Sequence, residues 1–151
     1  LLALIDDKGS SSTKEYLELI DISISCGSSQ KATAKIKIKV FDKIQILKKD
    51  GNGPIDAIFS ALKNVIPNKI NLLVYQVNAI TKGTDAIAEV SVRIEEESIT
   101  VLGQGSDLDT LVASAKAYIN AINKLIVKRD KLKDAKNKIF ESDKKIDKHV
   151  I

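Results

Sequence analysis

Residues 32–40 read Ala-Thr-Ala-Lys-Ile-Lys-Ile-Lys-Val, and residues 86–94 read Ala-Ile-Ala-Glu-Val-Ser-Val-Arg-Ile. In both stretches every second residue is apolar. Ala32, Ala34, Ile36, Ile38 and Val40 match Ala86, Ala88, Val90, Val92 and Ile94 one for one. Successive side chains of an extended chain point to opposite faces, so this period predicts a strand with one buried side. Lys35, Lys37 and Lys39 take the wet side of the first strand, and Glu89, Ser91 and Arg93 that of the second. The same pattern met twice predicts a duplicated unit.

Working outward, the duplication extends in both directions. An apolar stretch precedes each strand. Tyr16 to Ser25 places Ile20, Ile22 and Ile24 on one face, and Leu72 to Ile80 does the same with Leu73, Tyr75, Val77 and Ala79. Polar turns, Gly27-Ser28-Ser29 and Lys82-Gly83-Thr84, link the two strands of each copy. Short third strands are expected at Lys43 to Leu47 and at Ser98 to Leu102. Gly51-Asn52-Gly53 and Gly103-Gln104-Gly105 follow, each leading into a helix. Pro54 suits a first helical position, where a missing N–H is no loss. Ser106 or Asp107 can cap the second helix. Ile55, Ile58, Phe59, Leu62 and Val65 recur at helical spacing, as do Leu108, Leu111, Ala115, Tyr118 and Ile122.

Each copy therefore reads βββα, the first over about 15–66 and the second over about 69–126. Two such units related by a pseudo-twofold predict an α+β domain over 15–126, with helices packed on antiparallel sheets. Residues 1–14 hold the linker-like run Gly9-Ser10-Ser11-Ser12-Thr13. They read as the end of a connection from an upstream domain, and a chain without Met reads as an excised piece. Residues 127–151 read as a Lys-rich helical extension. Between Lys128 and Lys148 stand nine basic and five acidic side chains, so the net charge of +4 is concentrated there. The rest of the chain is neutral, which argues against a nucleic-acid-binding surface. No apolar run approaches a membrane span. The single cysteine, Cys26, forms no internal disulfide and suits a cytoplasmic protein. It reads as a small core or edge residue.

The glycine-led helix starts allow two readings. A helix N-terminus presents unpaired N–H groups and partial positive charge, and glycine beside it lets a ligand approach closely. Two such starts can receive a small carboxylate. Asp56, Asp107 and Asp109 can hold an ammonium group, and Tyr75, Ala79 and Ala86 suit an aliphatic side chain. Alternatively, each Gly-x-Gly only shapes a turn and each aspartate only caps a helix. Neither glycine pair is a Walker loop or a dinucleotide fingerprint.

Three linked motifs resemble a known family. Gly51-Asn52-Gly53-Pro54-Ile55-Asp56-Ala57 with Ala61-Leu62 is similar to the regulatory-domain signature of 2-isopropylmalate synthases and their citramalate and homocitrate synthase relatives. Leu73 to Val77 with Ile80 to Ala86, and Gly103 to Asp109 with Ala113 to Asn123, resemble the second and third motifs of that domain. The resemblance implies a regulatory domain that forms a homodimer and binds an end-product amino acid, leucine or isoleucine, between its two βββα units. It implies ligand contacts at Gly53, Pro54, Ile55, Asp56, Tyr75, Ala79, Ala86, Ser106 and Asp107. It also implies a parent acyltransferase in which a separate barrel binds a divalent metal and condenses acetyl-CoA with a 2-oxo acid. No cofactor, metal site or catalytic residue is expected in this chain itself. Its one histidine, His149, lies two residues from the end, so no His-x-His pair or Ser/His/Asp set can form.

Overall fold

The computed structural model describes residues 16–65, 69–82 and 85–149. The expected linker at 1–14, the junction at Pro67-Asn68 and the turn residues Gly83 and Thr84 lie outside them. The elements in order are β1 (Leu17–Gly27), β2 (Gln30–Val40), β3 (Lys43–Gly51), α1 (Pro54–Lys63), β4 (Asn71–Lys82), β5 (Asp85–Glu96), β6 (Ile99–Asp107) and α2 (Thr110–His149). This is βββα twice, in the α+β class. The strands form two antiparallel sheets, ordered β1-β2-β3 and β4-β5-β6. The chain divides into two compact units, Leu1–Val65 and Ile66–Ile151.

In the first unit β2 is the central strand, and its alternation works as the sequence predicts. Ala32, Ala34, Ile36, Ile38 and Val40 are buried, while Lys35 and Lys37 are exposed. Helix α1 buries Ala57, Ile58, Ala61 and Leu62, one stripe at helical spacing. Burying each large aliphatic side chain contributes roughly 1.5–3 kcal/mol. Pro54 sits at the first helical position, behind an N-cap at Gly53. The Ala57 N–H donates to the Gly53 carbonyl at 2.9 Å, the first turn of helix.

The β2–β3 hairpin turns on two residues, Phe41 and Asp42, with φ of 47° and 73°. Two left-handed residues match the twist of the flanking strands, but L residues resist that region. Phe41 is held there by an N–H bond to the Tyr16 carbonyl at 3.0 Å and by ring contact with Tyr16. Among the described residues Asp42 makes no such contact, so Asp42→Gly should stabilise the chain by about 0.5–1 kcal/mol. A chemical denaturation midpoint checks this.

The second unit corrects the one-for-one matching of the repeats. Pro54 and Thr110 both open helices, and buried Ala57, Ile58, Ala61 and Leu62 correspond to buried Ala113, Ser114, Ala117 and Tyr118. On the central strands, buried Ala32, Ala34, Ile36, Ile38 and Val40 correspond to buried Ala88, Val90, Val92, Ile94 and Glu96. The true register therefore lies two residues beyond the matching by pattern. A shift of two keeps every side chain on its own face, so alternation cannot detect it.

The outer strands differ from expectation too. β1 pairs with β2 through an irregularity between Leu19 and Asp21, and β4 with β5 through one between Leu72 and Val74. Each extra residue, Ile20 or Leu73, switches the strand's faces. Both are exposed, so neither belongs to an apolar face. Buried Leu17 and Ile70 precede the two bulges at matching places. The third strands run on through their glycines, to Gly51 and to Asp107. Cys26 is exposed on the edge strand β1 and belongs to no core.

Helix α2 continues through the Lys-rich segment as one helix to His149. Up to residue 135 its buried positions run from Ala113 to Ile126, and residues 130–135 are exposed, Leu132 among them. Its side chains also meet the free edge of β6. Asn120 Oδ1 accepts the Gln104 N–H at 3.1 Å, Lys124 Nζ donates to the Leu102 carbonyl at 3.0 Å, and Lys128 Nζ donates to the Thr100 carbonyl at 3.3 Å. Four helical residues rise about 6 Å and two strand residues about 6.7 Å. The two ladders therefore stay in step over three rungs.

Tyr118 is buried where the first unit has Leu62, and burial pushes its phenol up to about 12 from 10.0. A raised folded-state value means stability is complete below pH 10 and is lost as the unfolded chain ionises first. Stability should fall by roughly 2 kcal/mol between pH 10 and 12. Tyr118→Phe should flatten that part of a denaturation-versus-pH curve.

Candidate functional site

The two helix starts, expected to be alike, are built differently. In the first unit Gly51 ends β3, and a Cβ there would lie 2.4 Å from the Ala57 nitrogen. Gly51 is thus where the helix start packs down on the strand. Gly53 has open space, since a Cβ there would meet nothing within 4 Å. Its backbone is extended, with φ of −165°. Any residue can adopt that conformation, so only closeness of approach is specific to glycine here. Half-buried Pro54 and Ile55 follow, then exposed Asp56. The Asp56 Oδ2 accepts the Asn52 N–H at 2.9 Å, which closes the Gly51–Asp56 loop on itself.

In the second unit the glycines stand inside β6, not at the helix start. A Cβ on Gly103 would lie 2.3 Å from the Ala117 oxygen and 2.5 Å from the Ala121 nitrogen. One on Gly105 would lie 2.5 Å from the Ala117 nitrogen. These glycines let α2 lie directly on the strand and leave no room for a ligand. The shape-only reading holds for this pair, and the helix start is formed instead by Asp107-Leu108-Asp109. Asp109 is the cap, not Ser106 or Asp107. Its Oδ1 accepts the Leu111 N–H at 2.8 Å, and its carbonyl accepts the Ala113 N–H at 2.9 Å. An aspartate therefore takes the place that Gly53 has in the first unit.

Asp107 accepts the Asp109 N–H at 3.0 Å and pairs with Lys116 at 2.9 Å. The backbone hydrogen bond first, then Lys116, hold its carboxyl below the usual carboxylate range. Its contribution is present at neutral pH and is lost as pH falls through that lowered value. Ser106 is exposed one residue earlier.

The apolar candidates lie on the same sheet. Ala79 pairs with Ala88, and Ala88 with Asp107, so these three form one row across β4, β5 and β6. Ala86 pairs with Thr81, beyond that row, and is exposed. Tyr75 pairs with Val92, and its half-buried hydroxyl meets Ser114 Oγ at 2.7 Å. Ser114 Oγ also donates to the Thr110 carbonyl at 2.7 Å. Sequence reading missed Ser114. Its only signal was a hydroxyl among alanines in Ala113-Ser114-Ala115, where the first unit has Ile58. Within each unit the candidates are thus local: Gly53 to Asp56 at one helix start, and Ala79, Ser106 and Asp107 near the other. Among the described residues no three His, Cys, Asp or Glu side chains cluster as metal ligands, and no helix is long and apolar enough to cross a membrane.

Comparison with known proteins gives a consistent picture. Residues 1–126 match the model of the LeuA allosteric (dimerisation) domain. The chain is 43% identical over 129 residues to a 2-isopropylmalate synthase of Afipia carboxidovorans, covering 85% of this chain and 25% of that protein. It is 43% identical over 129 residues to one from a Bradyrhizobium species, covering 85% and 24%. It is 38% identical over 131 residues to one from Nitrobacter winogradskyi, covering 87% and 25%. The chain spans about a quarter of the length of these relatives. With the family model covering most of its length, this chain belongs to the LeuA allosteric (dimerisation) domain family.

Proposed function

We propose that this chain is the feedback sensor of a 2-isopropylmalate synthase and that its effector is leucine. It acts as a homodimer in the cytoplasm. The enzyme it controls condenses acetyl-CoA with 2-oxoisovalerate on a separate barrel, which carries the divalent metal. The observation that carries this reading is the family match over residues 1–126, laid on a duplicated βββα structure.

The proposed effector contacts are Gly53, Pro54, Ile55, Asp56, Tyr75, Ala79, Ala86, Ser106 and Asp107. The open start of α1 suits a carboxylate, because its first N–H groups have no helical partners and Gly53 leaves room for approach. Asp56 and Asp107 suit the ammonium group. Leucine shifts the attached enzyme only if it binds one arrangement of the dimer better than another. Calorimetric titration of the chain with leucine, isoleucine and lysine tests the reading. Saturable heat with leucine, weaker with isoleucine and absent with lysine, is expected. Preference for isoleucine or lysine would point instead to a citramalate or homocitrate synthase.

A second reading is a purely structural dimerisation module. The occupied space at Gly103 and Gly105 favours it, since those glycines serve packing. It predicts a dimer whose melting temperature no amino acid moves.

A further inference from the structure

Each of the two sheets has two edge strands, and an edge strand is a template for pairing unless something blocks it. The four edges here are not equivalent. On β6 the Thr100 and Leu102 carbonyls accept from Lys128 and Lys124 of α2, and the Gln104 N–H donates to Asn120 of α2. Side chains of α2 thus block that edge. On the first sheet β1 carries Glu18 and Asp21, and β3 carries Lys43, Lys48, Lys49 and Asp50. β4 differs from all three. From Asn71 to Thr81 it has no charged residue and no proline, and Leu72, Leu73, Val74, Val77 and Ile80 are exposed. It has one hydrogen-bonded neighbour, β5.

We infer that β4 is the seam of the homodimer, pairing antiparallel with β4 of a second copy. Charge decides the occupant. About a twofold axis each residue faces a residue of its own strand, so a strand whose charges share one sign opposes itself. β1 would set Glu18 and Asp21 against their own copies, and the basic residues of β3 outnumber its single aspartate. β4 sets only neutral side chains against each other, and opposed like charges are what disfavour a cross-strand pair. Closure of β6 by α2 also makes the assembly finite, because a sheet with one open edge can join one copy and no more. This inference rests on the dimer named in the preceding subsection.

Sedimentation equilibrium of the whole chain tests it. Gln76 and Asn78 are exposed and polar, so Gln76→Lys with Asn78→Lys leaves the fold intact by circular dichroism. The double variant should dissociate about tenfold or more readily than the unsubstituted chain. Single cysteines at each position from Val74 to Ile80, in a Cys26→Ser background, should oxidise to a covalent dimer most readily at the one position that faces itself. An unsubstituted dimer with no cross-linking at any position, and equal affinity in the lysine variant, would overturn the seam while leaving the dimer standing. An unsubstituted chain that stays monomeric at its highest soluble concentration would overturn both.

Discussion

Gly103→Ala should destabilise the second unit by about 3 kcal/mol, the upper part of the range for overpacking a core. One methyl group has this effect because of what surrounds it. The added carbon would lie 2.3 Å from the Ala117 oxygen, 2.5 Å from the Ala121 Cβ and 2.5 Å from the Ala121 nitrogen. These are mostly helix backbone atoms, which cannot rotate away as a long side chain can. The helix must lift from β6, and Ala113, Ala117 and Ala121 would lose contact together. The Lys124 and Lys128 bonds to the strand edge would go with them. Gly105→Ala should behave similarly, since its methyl would meet the Ala113 oxygen at 2.6 Å. Gly27→Ala and Gly53→Ala are the controls, with nothing within 4 Å of either. Urea denaturation of the four variants checks the contrast. If Gly103→Ala melts with the controls, the close strand–helix approach is wrong.

Arg129→Ala should cost about 3 kcal/mol, as expected when one partner of a buried ion pair is removed. Glu96 is only 6% exposed, at the end of β5 where the first unit has buried Val40. One of its carboxylate oxygens accepts from Arg129 Nη2, and the other, Oε2, is buried with no hydrogen-bond partner among the described residues. Without Arg129 the carboxylate would be buried with neither oxygen partnered among the described residues. The partial exposure of Arg129 keeps the cost near the low end of that range. Val40 shows that the position accepts an apolar residue. Glu96→Val with Arg129→Leu should therefore recover most of the loss, because two apolar groups need no partner. A double-mutant cycle measures the coupling. A single Arg129→Ala variant as stable as the parent would show that the pair contributes nothing.

The repeat, the central strands and both helices were legible because hydrophobic period survives in any protein with a covered face. Val40 and Ile94 sit in alternating runs, and Leu62 and Tyr118 at helical spacing. What escaped reading shares one physical cause. A bulge at Ile20 or Leu73 changes which face is buried without changing composition, and a two-residue shift between copies changes nothing that alternation records. Glycine was ambiguous for a related reason. A missing side chain marks a close neighbour without saying whether that neighbour is a ligand or a helix. At Gly103 and Gly105 it is α2, whereas Gly53 stays open. The Phe41-Asp42 turn carried no glycine or asparagine to announce it.

Leucine, as the proposed effector, is expected to reach the start of each helix, at Gly53 to Asp56 and at Ser106 and Asp107. Amide hydrogen exchange of the whole chain, with and without saturating leucine, tests it most directly. Leucine should slow exchange at Ile55 to Ala57 and also at Leu108 to Leu111, with the strand β2 unchanged. Unaltered exchange at both helix starts, or protection confined to one of them, would contradict it.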